Sequence, residues 1–203
     1  MTAKEYLRKR DFSQTPEPRG FWNRAGRRSR KDPVFVIQKH DSLSLHYDFR
    51  IEVDGVLKSW AVPKGPSLDP RERRLAIPTE DHPLDYAEFE GVIPKGQYGA
   101  GTVLIWDRGT YKNMTKRNNR IVPMVQALKQ GHALIWLQGE KVLGGFALQR
   151  IGKDKDERWL LIKMKDNYAD ARRNPTSTAP RSVLSGRTLG EIARQTYWEM
   201  GAP

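Results

Sequence analysis

Between Lys39 and Gly55 the chain reads KHDSLSLHYDFRIEVDG, a stretch that holds two of its four histidines together with Asp48 and Arg50. Imidazole and carboxylate groups gathered in space ligate borderline divalent cations such as Mn²⁺, Fe²⁺ or Zn²⁺, and three such ligands leave coordination positions for water and substrate. Arg50 cannot ligate a cation. A guanidinium beside one suits an anionic ligand, above all a phosphate gripped by the planar fork on one side and the ion on the other. The chain has no cysteine, so a disulfide framework or thiolate site is excluded and any metal must be held by nitrogen and oxygen.

Strand periodicity decides which of these side chains can meet. In LHYDFRIEV, alternate residues share a face. Tyr47, Phe49, Ile51 and Val53 form an apolar set suited to a core, and His46, Asp48, Arg50 and Glu52 fall on the other side. The preceding run VFVIQKH puts Gln38 and His40 on one face, and DSLS provides a short return. If the two runs pair, His40, His46 and Asp48 converge, because side chains two apart on a strand are only ~6.5–7 Å apart at the backbone. Solvated sheet faces also carry idle histidines and aspartates, so spacing alone leaves three readings: a metal site, a phosphate site or a wet surface.

A second cluster lies in IPTEDHPLDYAEFEGVIPKGQYGAGTVLIWDRG. His82 precedes a proline and so sits in extended or turn backbone. Glu80, His82 and Tyr86 offer an acceptor, a titratable imidazole and a phenol. Gly96, Gly99 and Gly101 lack the Lys-Ser/Thr of a phosphate-binding loop and lead into a strand, so they read as turn and barrel-corner positions. Lys64 and Arg74, next to strand ends, read on their own as solvated charges. His132 is given no role.

The positioning elements are mainly strands. At 203 residues with 37% hydrophobic and 30% charged residues, the chain can bury one sizeable core. Residues 1–33 read as a basic, Pro- and Gly-punctuated arm with one short helix in AKEYLRKRDF. Residues 34–166 contain short strand-like runs separated by turn signals, of which Asp54-Gly55 is a strong two-residue hairpin. Arg108-Gly109 and QGEK look like further hairpin tips, and VPMVQALKQG is a helical interlude. Residues 167–203 read as a polar linker and a short helix with Thr188 and Glu191 as its capping box. This spacing argues for an antiparallel barrel or sandwich. No run is long enough to span a membrane and MTAKEYLRKRDF has no secretory character, so a cytoplasmic protein is expected. The net charge of +12 favours a polyanionic partner, nucleic acid before membrane.

The stretches QKHDSLSLHYDFRIEVDGVLKSWAVPKGPSLDP, EDHPLDYAEFEGVIPKGQYGAGTVLIWDRGTY and YLRKRDFSQTPEP closely resemble the 3′-phosphoesterase domain of bacterial DNA ligase D, from about Tyr6 to Asp166. SVLSGRTLGEIA is similar to the segment that joins this domain to its neighbours in the multidomain enzyme. The resemblance implies a compact antiparallel β-barrel with short flanking helices, and a basic N-terminal arm packing near the active site. It implies a Mn²⁺-dependent enzyme, or one using another divalent transition metal, that removes a 3′-terminal ribonucleoside and then the 3′-phosphate. The expected partners are DNA primer-template 3′ ends, Ku and a DNA ligase, in a cytoplasmic, nucleoid-associated setting. His40, His46 and Asp48 match the family's metal ligands, and Arg50, His82, Tyr86 and Arg10 match residues around the reacting phosphate. Gln38, Lys64 and Arg74 match further substrate-binding positions, the last two tied to the monoesterase step. Asp11, Glu17 and Glu80 match positions better suited to anchoring these groups than to ligating an ion. FWNRAGRRSRKDP departs from the familiar pattern. The rival readings are a non-haem iron oxygenase and a basic DNA-binding module without catalysis.

Overall fold

A computed structural model of the chain describes residues 3–20, 32–152 and 156–199. The basic stretch FWNRAGRRSRK at 21–31, where the expected arm is least familiar, lies outside the described residues. In chain order the elements are α1 (Ala3–Arg8), β1 (Val34–Asp41), β2 (Leu45–Val53), β3 (Val56–Val62), β4 (Arg73–Pro78), a 3₁₀ turn (Leu84–Glu88), β5 (Gly91–Ile93) and β6 (Gly101–Asn113). They continue with β7 (Lys116–Arg117), β8 (Arg120–Ile121), α2 (Met124–Gln130), β9 (His132–Gly139), β10 (Leu143–Arg150), β11 (Trp159–Lys163), α3 (Pro175–Thr178) and α4 (Leu189–Glu199).

Eight strands close an antiparallel barrel in the order β1-β2-β3-β4-β11-β10-β9-β6, with β6 pairing back onto β1. β6, at 13 residues, is long enough to serve two neighbours on its other side. Its start pairs with β5 (Ile93↔Gly101) and its end with β9 (Gly109↔Gly139). The alternation in β2 holds: Tyr47, Phe49, Ile51 and Val53 join Phe35, Ile37, Trp60, Trp106, Phe146 and Trp159 in one buried cluster. Asp54 and Gly55 turn the β2–β3 hairpin with φ of 51° and 80°, the left-handed pair that a two-residue turn requires. Gly101 has φ 143°, and a Cβ there would fall 2.1 Å from the Asp41 carbonyl oxygen, so it is a close-approach corner as expected.

One turn expectation fails. Arg108 and Gly109 lie inside β6 rather than at a hairpin tip. Gly109 faces Phe35 on one side and Gly139 on the other, and a Cβ on it would meet the Gln138 carbonyl oxygen at 2.0 Å. The glycine permits close strand approach and does not mark a reversal. The QGEK tip does connect β9 to β10, and buried Asp107 holds it. Asp107 Oδ1 accepts from the backbone N–H groups of Arg108, Glu140 and Lys141 at 3.0, 2.8 and 3.1 Å, and Oδ2 accepts from Val142 at 2.8 Å.

The stretch expected to be a polar linker is tied to the barrel wall. Trp106 Nε1 donates to the Ala179 carbonyl at 2.8 Å, and the Val183 N–H donates to that of Ile105 at 2.9 Å. Glu90 accepts from the Ile105 N–H at 3.0 Å and from the hydroxyls of Ser182 and Ser185. The capping box forms as read: the Thr188 N–H donates to Glu191 Oε2 at 2.7 Å, the Glu191 N–H to Thr188 Oγ1 at 3.3 Å, and Ile192 joins the barrel cluster. Among the described residues, no helix is long and apolar enough to cross a membrane.

Replacing Asp107 by Ala leaves four backbone N–H groups without their acceptor at once, that of Val142 buried and the others partly so. We expect the unfolding free energy to fall by about 2–4 kcal/mol, with Asp107→Asn recovering part of it. Chemical denaturation checks this; a change below roughly 0.5 kcal/mol would show that the strand ladder alone holds the hairpin.

A candidate metal and phosphate site on the barrel wall

Pairing of β1 with β2 sets His40 directly opposite His46, with their ring centroids 4.8 Å apart, and Asp48 follows on the same face. One ligand atom from each of the three lies within 4.8 Å of the others, near the ~3–4 Å separation of donors around one ion at bonds of ~2.1 Å. His40 Nδ1 stands 3.6 Å and His46 Nε2 3.8 Å from Asp48 Oδ2. His46 Nδ1 donates to the Ser44 carbonyl at 2.9 Å, which fixes the tautomer and leaves the Nε2 lone pair facing the cluster. His40 Nε2 is buried without a hydrogen-bond partner. This donor set fits a divalent cation.

Arg50, two residues beyond Asp48, is clamped on every side. Its Nε donates to Gln38 Oε1 at 2.7 Å, its Nη2 meets Asp48 Oδ2 at 3.1 Å, and its guanidinium lies 4.9 Å from the Tyr86 ring centroid. Burial pushes the Asp48 carboxyl up, but Arg50 and the two imidazoles outweigh it and hold it far below the usual carboxylate range. Gln38, expected to bind substrate, has both ends of its amide in use. Its Nε2 donates to the Tyr86 and Phe89 carbonyls at 3.1 and 2.9 Å, so it orients Arg50 and pins the 3₁₀ turn.

His82 is held by reciprocal backbone bonds to Leu57 at 2.8 and 3.0 Å. Its Nδ1 is 2.8 Å from the Glu80 carbonyl oxygen and 2.9 Å from Arg50 Nη1, and its Nε2 is 3.5 Å from Arg10 Nη2. Burial, then Arg50 and Arg10, push its pKa well below 6.5, so the ring is uncharged at neutral pH.

The segment after α1 closes the site from above. Arg10 Nε donates to Glu17 Oε1 at 2.7 Å, and its Nη1 donates to Glu80 Oε1 and the Tyr6 carbonyl, both at 3.1 Å. Lys9 Nζ donates to Glu80 Oε2 at 3.1 Å. Glu17 and Glu80, expected to anchor other groups, are the carboxylates that accept these bonds. Tyr86, expected to touch phosphate, donates its hydroxyl to Glu17 Oε1 at 3.0 Å; burial, with Glu17 adding to it, pushes the phenol well above its ordinary value. Arg10, His40, His46, Asp48, Arg50, His82 and Tyr86 all line one cavity of about 160 Å³.

Five expected residues stay outside the cavity lining: Gln38 and Glu17, which hold Arg50 and Arg10, and Asp11, Lys64 and Arg74. Asp11 is exposed and bonds the Ser13 N–H at 3.0 Å and the Ser13 hydroxyl at 2.6 Å. Lys64 is exposed in the loop after β3. Arg74 lies on the other face of the sheet: Asp48 pairs with Ala61 and Ala61 with Ile77, so Leu75 and Ile77 share the site's face while Arg74 alternates away and bonds Glu72. Sequence reasoning missed Tyr6, which is fully buried with its ring 5.1 Å from that of His82, because a tyrosine in a short charged helix carries no signal of its tertiary contacts. It also missed Lys9 and Tyr98. The flanking Gly96 and Gly99 did mark a loop tip there.

A closed antiparallel barrel that carries a His-His-Asp cluster beside Arg50, in a cavity also lined by Arg10, is a protein with a candidate metal centre on its wall. A family model described as "DNA Ligase D 3'-phosphoesterase domain" matches residues 38–150, and the chain belongs to that family. It is 50% identical over 192 residues to the "Multifunctional non-homologous end joining protein LigD" of Pseudomonas aeruginosa, covering 91% of this chain and 21% of that protein. It is 40% identical over 194 residues to the LigD proteins of Mycobacterium tuberculosis and Mycolicibacterium smegmatis, covering 96% of this chain and 24% of each. The chain thus spans roughly a fifth to a quarter of the length of these relatives.

A depressed His82 pKa has a defined effect on stability. As pH falls below the ordinary value of 6.5, the unfolded chain binds a proton that the folded ring refuses, so stability is present above that pH and is lost below it. Stability measured from pH 7.5 to 5 is expected to fall less in His82→Gln than in the parent. Equal slopes would show that His82 takes the proton in the folded state.

Proposed function

We propose that this chain is a divalent-metal-dependent phosphoesterase that processes DNA 3′ ends. On this reading it removes a 3′-terminal ribonucleoside and then the 3′-phosphate, with Mn²⁺ as the preferred ion. The observation that carries the reading is the convergence of His40, His46 and Asp48 within 4.8 Å, with Arg50 on the same carboxylate. An ion bound there would supply Lewis-acid stabilisation of charge developing on phosphate oxygens.

The chain's own groups do the rest. Arg50 and Arg10 are already positioned by Gln38, Glu17 and Glu80, so meeting a phosphate costs little reorganisation. Lys9, Arg10 and Arg50 are balanced by Asp48, Glu17 and Glu80 among the cavity's paired groups. A bound dication therefore leaves the net positive charge that a phosphate needs. His82, uncharged and buried, offers a nitrogen that can accept a proton from water or orient it. The Tyr86 hydroxyl donates to Glu17 Oε1, the same oxygen that accepts from Arg10 Nε, and so helps hold that carboxylate on Arg10. The net charge of +12 suits a DNA partner, and the relatives' names suit a role in end joining; the partners we propose for that role are Ku and a DNA ligase, in the cytoplasm.

End-labelled DNA carrying one 3′ ribonucleotide, incubated with Mn²⁺, Mg²⁺, Zn²⁺ or chelator and sized on a gel, tests the reading. The parent chain should yield a 3′-phosphate and then a 3′-OH product with Mn²⁺ and nothing with chelator. His40→Ala and Asp48→Ala should lose both steps, and Arg50→Ala should lose about 10²–10³-fold in rate. Binding that ignores chelator and leaves every 3′ end unaltered would instead identify a non-catalytic DNA-binding module.

A further inference from the structure

Tyr98 lines the same cavity as His40, His46, Asp48, Arg50 and His82, yet it is 47% exposed and belongs to neither apolar cluster. It stands at the tip of the loop between β5 and β6. Two consecutive turns build that loop, closed by Gln97 N–H to Pro94 carbonyl and Ala100 N–H to Gln97 carbonyl bonds, both 3.1 Å. Gly96 and Gly99, at φ 91° and 77°, supply the left-handed conformations on either side of the tyrosine. A Cβ at Gly96 would meet nothing within 4 Å, so this glycine serves the backbone path and makes no room for a neighbour. The loop is anchored at its base, where Gly101 packs on the Asp41 carbonyl.

The ring is held from within the site. Lys9 Nζ donates to the Tyr98 hydroxyl at 3.0 Å and lies 4.4 Å from the ring centroid, and the Arg10 guanidinium lies 5.5 Å from it. An aromatic ring fixed by two cations at the mouth of an anion pocket, with much of its surface still open, suits a flat ligand attached to a phosphate. Stacking on an aromatic ring tolerates any base, because every base has a π-face. We propose that Tyr98 is the stacking platform for the nucleobase of the 3′-terminal nucleotide. This deepens the phosphoesterase reading and rests on it for the identity of the substrate.

The test uses the full chain and a primer ending in a 3′ ribonucleotide of 2-aminopurine. Its fluorescence is followed by stopped-flow mixing with Mn²⁺ and read before turnover, alongside steady-state cleavage. Tyr98→Ala should abolish the quenching and raise KM roughly 10-fold, with kcat moving much less. Tyr98→Phe, which keeps the ring and loses the Lys9 bond, should stay within about twofold of the parent. A primer ending in an abasic ribose should show no Tyr98→Ala penalty. Quenching that survives in Tyr98→Ala, or an equal penalty on the abasic end, overturns the proposal while leaving the phosphoesterase reading intact. Quenching that depends on Tyr98 in a chain that never cleaves upholds the platform and overturns the reading of the reaction.

Discussion

Antiparallel pairing of β1 with β2, in the register that sets His40 opposite His46, is the constraint on which the site depends. A strand alternates faces at every residue, so a slip of one position would turn His46, Asp48 and Arg50 into the barrel and Tyr47, Phe49 and Ile51 out of it. That slip is opposed by the burial of those three apolar side chains, all at most 4% exposed. It is opposed again by β6, which pairs with β1 along its length and closes the barrel. The ligands are therefore placed by the same packing that makes the core.

The outer wall of a small barrel is ordinarily wet, and here part of it is covered. Tyr6, Leu57, Tyr86, Phe89, Ile93 and Val103 form a second buried cluster outside the main core. This cover raises the strength of every charge interaction beneath it and makes each unpaired group costly. The outcome is visible in the titrating groups: burial keeps Tyr86 protonated and His82 neutral, and Asp48 stays ionised because Arg50 and the imidazoles overcome burial. A largely buried pocket that keeps its arginines paired needs carboxylates at matching positions. Glu17 and Glu80 come from segments more than 60 residues apart and meet on Arg10.

Local pattern alone was enough for much of this protein. The period-two alternation of LHYDFRIEV assigned the core and site faces of β2, Asp54-Gly55 assigned its turn, and Thr188 and Glu191 assigned the cap of α4. With one assumption, that neighbouring runs pair, the same pattern brought His40, His46 and Asp48 together. Such features are legible because residues a few positions apart determine them. Gly109 was misread for the complementary reason: a glycine that lets β1, β6 and β9 approach has the same local signature as one at a turn.

What the sequence by itself determined is the strand alternation, the hairpin and capping chemistry, the donor types on one face, and a charge that suits a polyanion. Only the tertiary structure decided that Gln38 serves Arg50, that Asp11 faces solvent, that Arg74 alternates away from the site, and that Lys9, Arg10 and Tyr98 meet at the cavity mouth. The physical reason is range. Alternation and capping act over a few residues, whereas the bonds from Arg10 to Glu80 and from Lys9 to Tyr98 span 70 and 89 positions. Those contacts exist only after the barrel has closed.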